Sequence, residues 1–328
     1  MKQHITRAYN SFAIDKIYAT LTKTSKESRL KDEINYYKEI SNISKECAVY
    51  FPRLLDSYEN EKGYEMKLEY YAYSNLGDYM VYEDFDKDFW EDITQCIQWT
   101  RQEFSQIKKT APSKIENSVV LRSMYVDKTQ RYYKDLIDNF EKFASLSKKD
   151  SISINGKKYL NYEKIWSDVN DLIEKKLLNI NDTSLIHGDF CFSNILCGRN
   201  NKTNTTILKF VDPRGSFGNK GVFGDPLYDA AKLIHSYEGG YEYIIYDQFS
   251  IQEDPLGKKY EMRFSNENKN EITRIFGDLT DIRTLSSKLI EGLIFIGMCS
   301  RHYDSTSRQT AMYLTGVKIL NEVLEGDI

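Results

Sequence analysis

The sequence predicts an α+β fold in two unequal lobes, a small β-rich N-terminal lobe over about residues 1–70 and a large, mainly helical lobe over 71–328. Three observations carry this. The 328 residues exceed the ~150 of a typical domain and suit two. Runs with period-two alternation gather in the first 70 residues, while from Asp86 onward apolar positions recur at helical spacing. The 17 glycines are skewed: the first 155 residues hold only Gly63 and Gly77, and eight fall between Gly188 and Gly240. Backbone freedom is therefore concentrated in one interior stretch.

In chain order, residues 5 to 25 read as short strands, with a turn at Asn10-Ser11 and an alternating run from Lys16 to Lys23 that sets Ile17, Ala19 and Leu21 on one face. Ser25 to Ile40 reads as a helix because Leu30, Ile34, Tyr37 and Ile40 recur at spacings of four, three and three. Phe51 to Tyr70 reads as two strands joined near Asn60 to Gly63, and the chain enters the large lobe near Tyr70 to Leu76. Phe89 to Lys109, Val119 to Ser147 and Tyr162 to Leu178 have helical period, with an Asn-Gly hairpin between the last two at Ile152 to Tyr159. Residues 183 to 225 are strands and loops. Asp225-Pro226 opens a helix, since Asp can cap and Pro suits the first turn. Helices dominate from there, notably at 283 to 303 and 306 to 325.

Composition excludes several classes. With 45 Lys+Arg against 49 Asp+Glu, the net charge of −4 argues against a dedicated nucleic-acid binder. Five scattered cysteines (47, 96, 191, 197, 299) form no Cys-x-x-Cys pair, which disfavours a disulfide framework or zinc ribbon and points to a reducing cytoplasm. Met1 to Phe12 lacks an apolar signal core, and the apolar stretch from Gly292 to Ser300 is far shorter than the ~20 residues that span a bilayer, so no membrane association is expected. The early part of the chain cannot form a Gly-x-Gly-x-x-Gly phosphate loop, which removes an N-terminal dinucleotide-binding domain. The 25 tyrosines read as compositional bias in preference to an aromatic cage for a cation. His235 and His302 read as helix residues, and Cys191 and Cys197 as packing residues.

Two runs carry chemistry. In Ser184-Leu-Ile-His187-Gly188-Asp189-Phe-Cys-Phe-Ser-Asn194-Ile-Leu196, apolar residues flank a polar turn that holds a carboxylate and, five residues later, a carboxamide. In Ile207-Leu-Lys-Phe-Val211-Asp212-Pro-Arg-Gly215, an apolar strand ends in a second carboxylate. Oxygen side chains on two neighbouring loop ends can position a hydroxyl and hold Mg²⁺, which prefers oxygen ligands. Phosphoryl transfer needs that arrangement, because it depends mostly on positioning and charge neutralisation.

His187-Gly188-Asp189 with Asn194, followed by Asp212, resembles the catalytic core of the aminoglycoside phosphotransferase and choline kinase-like superfamily of small-molecule kinases, which have a protein-kinase-like fold. The resemblance implies Asp189 as the catalytic base, Asn194 and Asp212 as Mg²⁺ ligands, and His187 and Gly188 as loop-shaping residues. Gly224-Asp225-Pro226-Leu-Tyr228-Asp229-Ala-Ala-Lys232 resembles the segment after the metal site, with Asp229 bracing the catalytic loop. The 23-residue gap between Asp189 and Asp212 is longer than the family's habit, and the surplus fits a polar hairpin tip at Gly198 to Thr205.

In the small lobe the resemblance implies a strand Lys on the nucleotide phosphates and a helix Glu that holds it. Lys23 and Glu33 fit by element, and Lys16 is the alternative lysine. The turn at Asn10-Ser11-Phe12 would take the place of the phosphate-covering loop, offering the Ser11 hydroxyl and backbone N–H groups. Glu69 to Tyr71 would be the hinge that meets the base. Asn10-Ser11-Phe12 with Thr22-Lys23-Thr24-Ser25 is also similar to a bacterial subgroup associated with surface-polysaccharide synthesis. Arg214 would either bind substrate through its planar fork or pair with Asp225 or Asp229. The co-substrate implied is ATP or GTP, and the acceptor a small-molecule hydroxyl. The other reading is a kinase-fold protein that binds nucleotide with little turnover, motivated by the glycine-poor start.

Overall fold

The structure, a computed structural model, describes residues 10–327 apart from 62, 111–113, 180–181, 201–202, 204, 278 and 280. It is α+β, with an antiparallel sheet first and a mainly helical part after it. The sheet comprises β1 (Asn10–Asp15), β2 (Thr20–Ser25), β3 (Leu54–Asn60) and β4 (Gly63–Glu69) in the order β1-β2-β4-β3. Between β2 and β3 lie α1 (Ser28–Ile43) and the short α2 (Lys45–Ala48). Leu30, Ile34, Tyr37 and Ile40 of α1 are buried, as their spacing predicts, and so are Glu33 and Tyr36.

The turn expected at Asn10-Ser11 lies further along the chain, beyond Asp15. Asn10 and Ser11 belong to β1, paired with Ser25 and Thr24. The reversal falls at 16–19, because the Asp15 carboxylate accepts hydrogen bonds from the Ile17 and Tyr18 N–H groups at 2.9 and 3.1 Å. Ala19 then takes a left-handed φ of 49°. Ile17 is 88% exposed in this turn and does not share a strand face with Leu21. Residues 5–9 of the predicted strand region lie outside the described residues.

The chain crosses into the large lobe through β5 (Ser74–Asn75), α3 (Leu76–Tyr82) and α4 (Lys87–Gln106), followed by β6 (Lys108–Thr110). The helix expected over 119–147 is divided into α5 (Lys114–Arg122), a π-helical turn at Ser123–Asp127, α6 (Lys128–Asn139) and α7 (Glu141–Ser147). The extended backbone of Phe140, φ −132° and ψ 107°, makes the second break. β7 (Ser151–Ile154) and β8 (Lys157–Leu160) form the Asn155-Gly156 hairpin, with left-handed φ values of 48° and 83°. Then come α8 (Tyr162–Lys176), β9 (Asp182–Leu185), β10 (Ile195–Asn200), β11 (Thr205–Phe210) and the short pieces β12 (Ser216–Phe217), β13 (Asn219–Lys220) and β14 (Phe223–Gly224). β5 adds to the β10–β11 hairpin, so the first residues after the small sheet already pair with the large lobe. The tip of that hairpin includes residues outside the described set.

Asp225 caps α9 (Pro226–Tyr237) by accepting from the Leu227 N–H at 2.9 Å. α10 (Tyr241–Ile245) follows. Helices do not hold all the ground to the C-terminus: β15 (Phe249–Glu253) and β16 (Lys259–Phe264) form a hairpin that joins β7 and β8 in a four-stranded sheet. The Asp254 carboxylate organises its turn by accepting from the Lys258 and Lys259 N–H groups. α11 (Asn268–Gly277), α12 (Leu285–Met298) and α13 (Thr306–Glu325) complete the chain. No helix among the described residues is long and apolar enough to cross a membrane.

Two apolar cores result. One lies among α6 to α8, α12 and α13. The other joins α1, β4, α3 and α4 to residues 185–210 and α9. In the second, Phe51, Phe104, Phe210 and His187 form an aromatic nest, with the His187 ring stacked 6.0 Å from Phe51. The glycine-rich run is a tight crossing here. Gly215 has φ +63°, and a Cβ there would lie 2.0 Å from the Asp32 carbonyl oxygen of α1.

A pair of substitutions checks that approach. Gly156 also has a left-handed φ, but nothing lies within 4 Å of its would-be Cβ. Gly156→Ala should cost about 1–2 kcal/mol of conformational strain. Gly215→Ala should lose about 1–3 kcal/mol more through overpacking against α1. Chemical denaturation reads both, and equal losses would contradict the close packing.

Candidate active site

Lys23 lies on the inner strand β2, between Phe12 of β1 and Met66 of β4. It is 4% exposed. Its ammonium donates to Glu33 Oε2 and to Asp212 Oδ1, each at 2.7 Å. Burial works against the ammonium, but the two carboxylates overcome it and hold the Lys23 pKa above the usual lysine value. Burial pushes the Glu33 carboxyl up to about 8 against the pull of Lys23. Asp212 behaves oppositely: desolvation opposes its charge, yet Lys23 holds its carboxyl below the ordinary aspartate range. Lys23, Glu33 and Asp212 come from three separate elements and are brought together here.

Asp212 follows β11 with a left-handed φ of 57°, a conformation that side chains other than Gly adopt at a cost. Its carboxylate is half-exposed. Cross-ties hold it. The Val211 N–H donates to the Asn194 carbonyl at 3.0 Å, the Arg214 N–H donates to the His187 carbonyl at 2.9 Å, and His187 Nε2 lies 3.0 Å from the Val211 carbonyl. The loop at 187–194 and the loop at 211–214 are thus laced together.

Asp229 sits on the first turn of α9 beneath the 187–194 loop. Its carboxylate accepts from the His187 N–H at 2.6 Å and the Gly188 N–H at 2.8 Å. Burial pushes that carboxyl up to about 7 even though both N–H groups favour its charge. Gly188 turns the chain at φ +79°. Asp189 follows, about a quarter exposed, with Oδ1 2.8 Å from the Lys232 ammonium. The Asn194 carboxamide donates from Nδ2 to the Asp189 carbonyl at 2.8 Å, and among the described residues its Oδ1 accepts no hydrogen bond. Among those residues, no three His, Cys, Asp or Glu side chains converge as a ready-made metal cage. A half-exposed carboxylate and a carboxamide oxygen do fit Mg²⁺ as it binds with phosphates, since that ion takes one or two protein carboxylates and fills its octahedron with water and substrate oxygens.

Several predicted residues stand elsewhere. Ser11 lies within β1 and its hydroxyl bonds to that of Thr24, so it belongs to no covering loop. Lys16 lies in the 16–19 turn, and Lys23 is the lysine that meets Glu33. Glu69 pins the end of β4: its carboxylate accepts from the Arg53 N–H at 3.1 Å, pairs with the Arg53 guanidinium at 3.0 Å and accepts from the Tyr71 hydroxyl at 3.1 Å. Arg214 donates to the Tyr228 hydroxyl at 3.2 Å, while Asp225 accepts from the Tyr125 hydroxyl at 2.6 Å. Sequence reading gave no role to Lys232. Its position three residues after Asp229 on one helix was the available signal, because residues at that spacing share a face.

The His187 imidazole is fully buried and accepts from the Asp189 N–H on Nδ1 at 3.2 Å, which requires the neutral ring with its proton on Nε2. Burial lowers its pKa to about 4 despite the nearby carboxylates. A folded pKa below the unfolded value contributes stability above pH ~6.5 that is lost as pH falls through ~4, about 3 kcal/mol in all. The stability difference between wild type and His187→Gln should therefore shrink as pH falls across that window. A constant difference would contradict the neutral ring.

No protein-family model and no curated protein sequence matches the chain. Solved structures do match. A thermostable mutant of aminoglycoside phosphotransferase APH(4)-Ia, in ternary complex with AMP-PNP and hygromycin B, superposes with a TM-score of 0.57 at 10% identity, over 97% of this chain and 92% of that one. A mutant of aminoglycoside 2'-phosphotransferase-IIIa, in complex with GDP, gives a TM-score of 0.54 at 13% identity, over 98% and 90%. At such identities the likeness lies in the fold, and this chain has the fold of the aminoglycoside phosphotransferases.

Proposed function

We propose that this protein is a small-molecule kinase that moves the γ-phosphoryl group of ATP or GTP to a hydroxyl. The observation that carries the reading is the buried Lys23, clamped at 2.7 Å by both Glu33 and Asp212. A buried ammonium at the end of such a clamp is a fixed charge for nucleotide phosphates. The AMP-PNP and GDP held by the two structural neighbours support either purine as the co-substrate. The nucleotide lies between a lobe of residues 1–70 and a lobe of 71–328, with the backbone at Glu69 to Tyr71 facing the base and the 16–19 turn as the closing loop of the sheet.

Asp189 orients the acceptor hydroxyl and takes its proton. Lys232 holds the Asp189 carboxylate in place at 2.8 Å. Asn194 and Asp212 would hold Mg²⁺, which supplies charge neutralisation on the transferring phosphoryl group. Asp229 fixes the His187 and Gly188 amides, so that the loop presents Asp189 in one geometry. The acceptors that suit this reading are a sugar, an amino alcohol or a surface-polysaccharide precursor. Turnover is favoured over binding alone because Lys23, Glu33, Asp189, Asn194 and Asp212 are all present.

Asp189→Asn should lower kcat by about 10²–10⁴-fold with nucleotide affinity kept, read by ADP release in a pool of sugars and amino alcohols at a temperature where the variant is folded. Near-normal turnover would sink Asp189 as the base. Asp212→Ala should abolish the Mg²⁺-dependent part of the thermal stabilisation by ATP, and a full Mg²⁺ effect in that variant would sink its metal role.

A further inference from the structure

A cleft opens beside Asp189. Its walls come from α6 and the π turn before it, from α9 and α10, and from α12 with the turn that follows. Its charge is lopsided. Among the described residues Arg29, Lys128, Arg214, Lys232 and Arg301 line it, against one carboxylate, that of Asp189. Lys232 faces that carboxylate at 2.8 Å. Lys128 and Arg301 are met by tyrosines: Lys128 lies 5.7 Å from the Tyr228 ring centre, and Arg301 donates to the Tyr132 hydroxyl at 3.4 Å. Burial, then the charges of Arg214 and Lys232, push the Lys128 pKa well below the usual lysine value, as expected where cations crowd.

The aromatic faces give the same answer. A cage for a choline-like or aminoglycoside cation needs open ring faces. Here Lys128 sits over Tyr228, Lys232 over Tyr241 at 5.5 Å, and Arg301 over Tyr132 at 5.5 Å. The chain's own cations lie on those rings, and a cationic ligand would meet like charge everywhere but at Asp189.

We infer that the acceptor is an anionic hydroxylated small molecule, a sugar acid or sugar phosphate, whose carboxylate or phosphate is held by Lys128, Arg214 and Arg301 while a hydroxyl meets Asp189. This rests on the kinase reading above and narrows its substrate class. The acceptor oxygen bonds to the γ-phosphorus. The bond from that phosphorus to the bridging oxygen breaks, and its electron pair stays on the nucleoside diphosphate. The hydroxyl proton passes to the Asp189 carboxylate. Guanidinium forks suit carboxylate and phosphate alike.

Calorimetric titration of the full chain with glucuronate, glucose 6-phosphate, glucose and hygromycin B, each with and without Mg²⁺-AMP-PNP, tests it. At least one anion should bind ten times more tightly than glucose, hygromycin B should not bind, and Mg²⁺-AMP-PNP should not displace the anion. Comparing glucuronate with glucose 6-phosphate tells which anionic group the cleft takes. Lys128→Ala and Arg301→Ala should weaken the anion at least tenfold with Mg²⁺-AMP-PNP affinity unchanged within twofold, and Lys128→Arg should retain anion binding. Anions no tighter than glucose, preferential binding of hygromycin B, or displacement of the anion by Mg²⁺-AMP-PNP would overturn the inference. Anion binding without any nucleotide binding would overturn the kinase reading and uphold the anionic cleft.

Discussion

The Lys23 ammonium is the point on which the structure turns. Taking it out of water is expensive, and a buried charge is tolerable only with partners in good geometry. Its partners lie on α1 and at the end of β11, so satisfying one charge fixes the sheet, the helix and the interior loop relative to one another. Other contacts along α1 reinforce this. The Tyr36 hydroxyl donates to the Ile186 carbonyl at 3.0 Å, and the Asp32 carbonyl leaves room only for a glycine at 215. Within five residues, one helix thus engages β2, the residue that leads into the 187–194 loop, and the 211–215 loop.

From that constraint the local strain makes sense. Asp212 holds a left-handed backbone because the chain is tied on both sides of it, at Val211 to Asn194 and His187, and two residues on at Arg214 to His187. The buried Asp229 bears on the same place from below through two amides. The Asp189 carboxylate then stands between two unlike surroundings. Toward the sheet are the Asp212 carboxylate, the Asn194 carboxamide and one clamped lysine. Toward α6 and α12 lies a wall of cations. Charge of opposite character on the two sides of one carboxylate can sort a metal-bound nucleotide from an anionic acceptor.

Much of the site was legible in the sequence because it is compact in the chain. Asp189 and Asn194 lie five residues apart, Asp212 ends the next hairpin, and Lys23 and Glu33 occupy adjoining elements. The misplacement of Ser11 arose because Asn-Ser suggests a turn locally, while Asp15 captured the reversal through side-chain hydrogen bonds that no periodicity encodes. The β15–β16 hairpin was missed because its strands join β7 across more than a hundred residues. The basic cleft was illegible for the same reason: Arg29, Lys128, Arg214, Lys232 and Arg301 are scattered in sequence, and only α6, α9 and α12 packing together makes them one surface. A net charge of −4 gave no hint of a strongly positive interior wall.

The central claim, that Lys23 and Glu33 act as one unit in gripping nucleotide phosphates, is tested most directly by a double-mutant cycle on Mg²⁺-AMP-PNP affinity with Lys23→Met, Glu33→Gln and the double variant. The account predicts strongly non-additive losses, with the double variant hardly weaker than Lys23→Met alone. Losses that add in full, or affinity untouched in Lys23→Met, would contradict it.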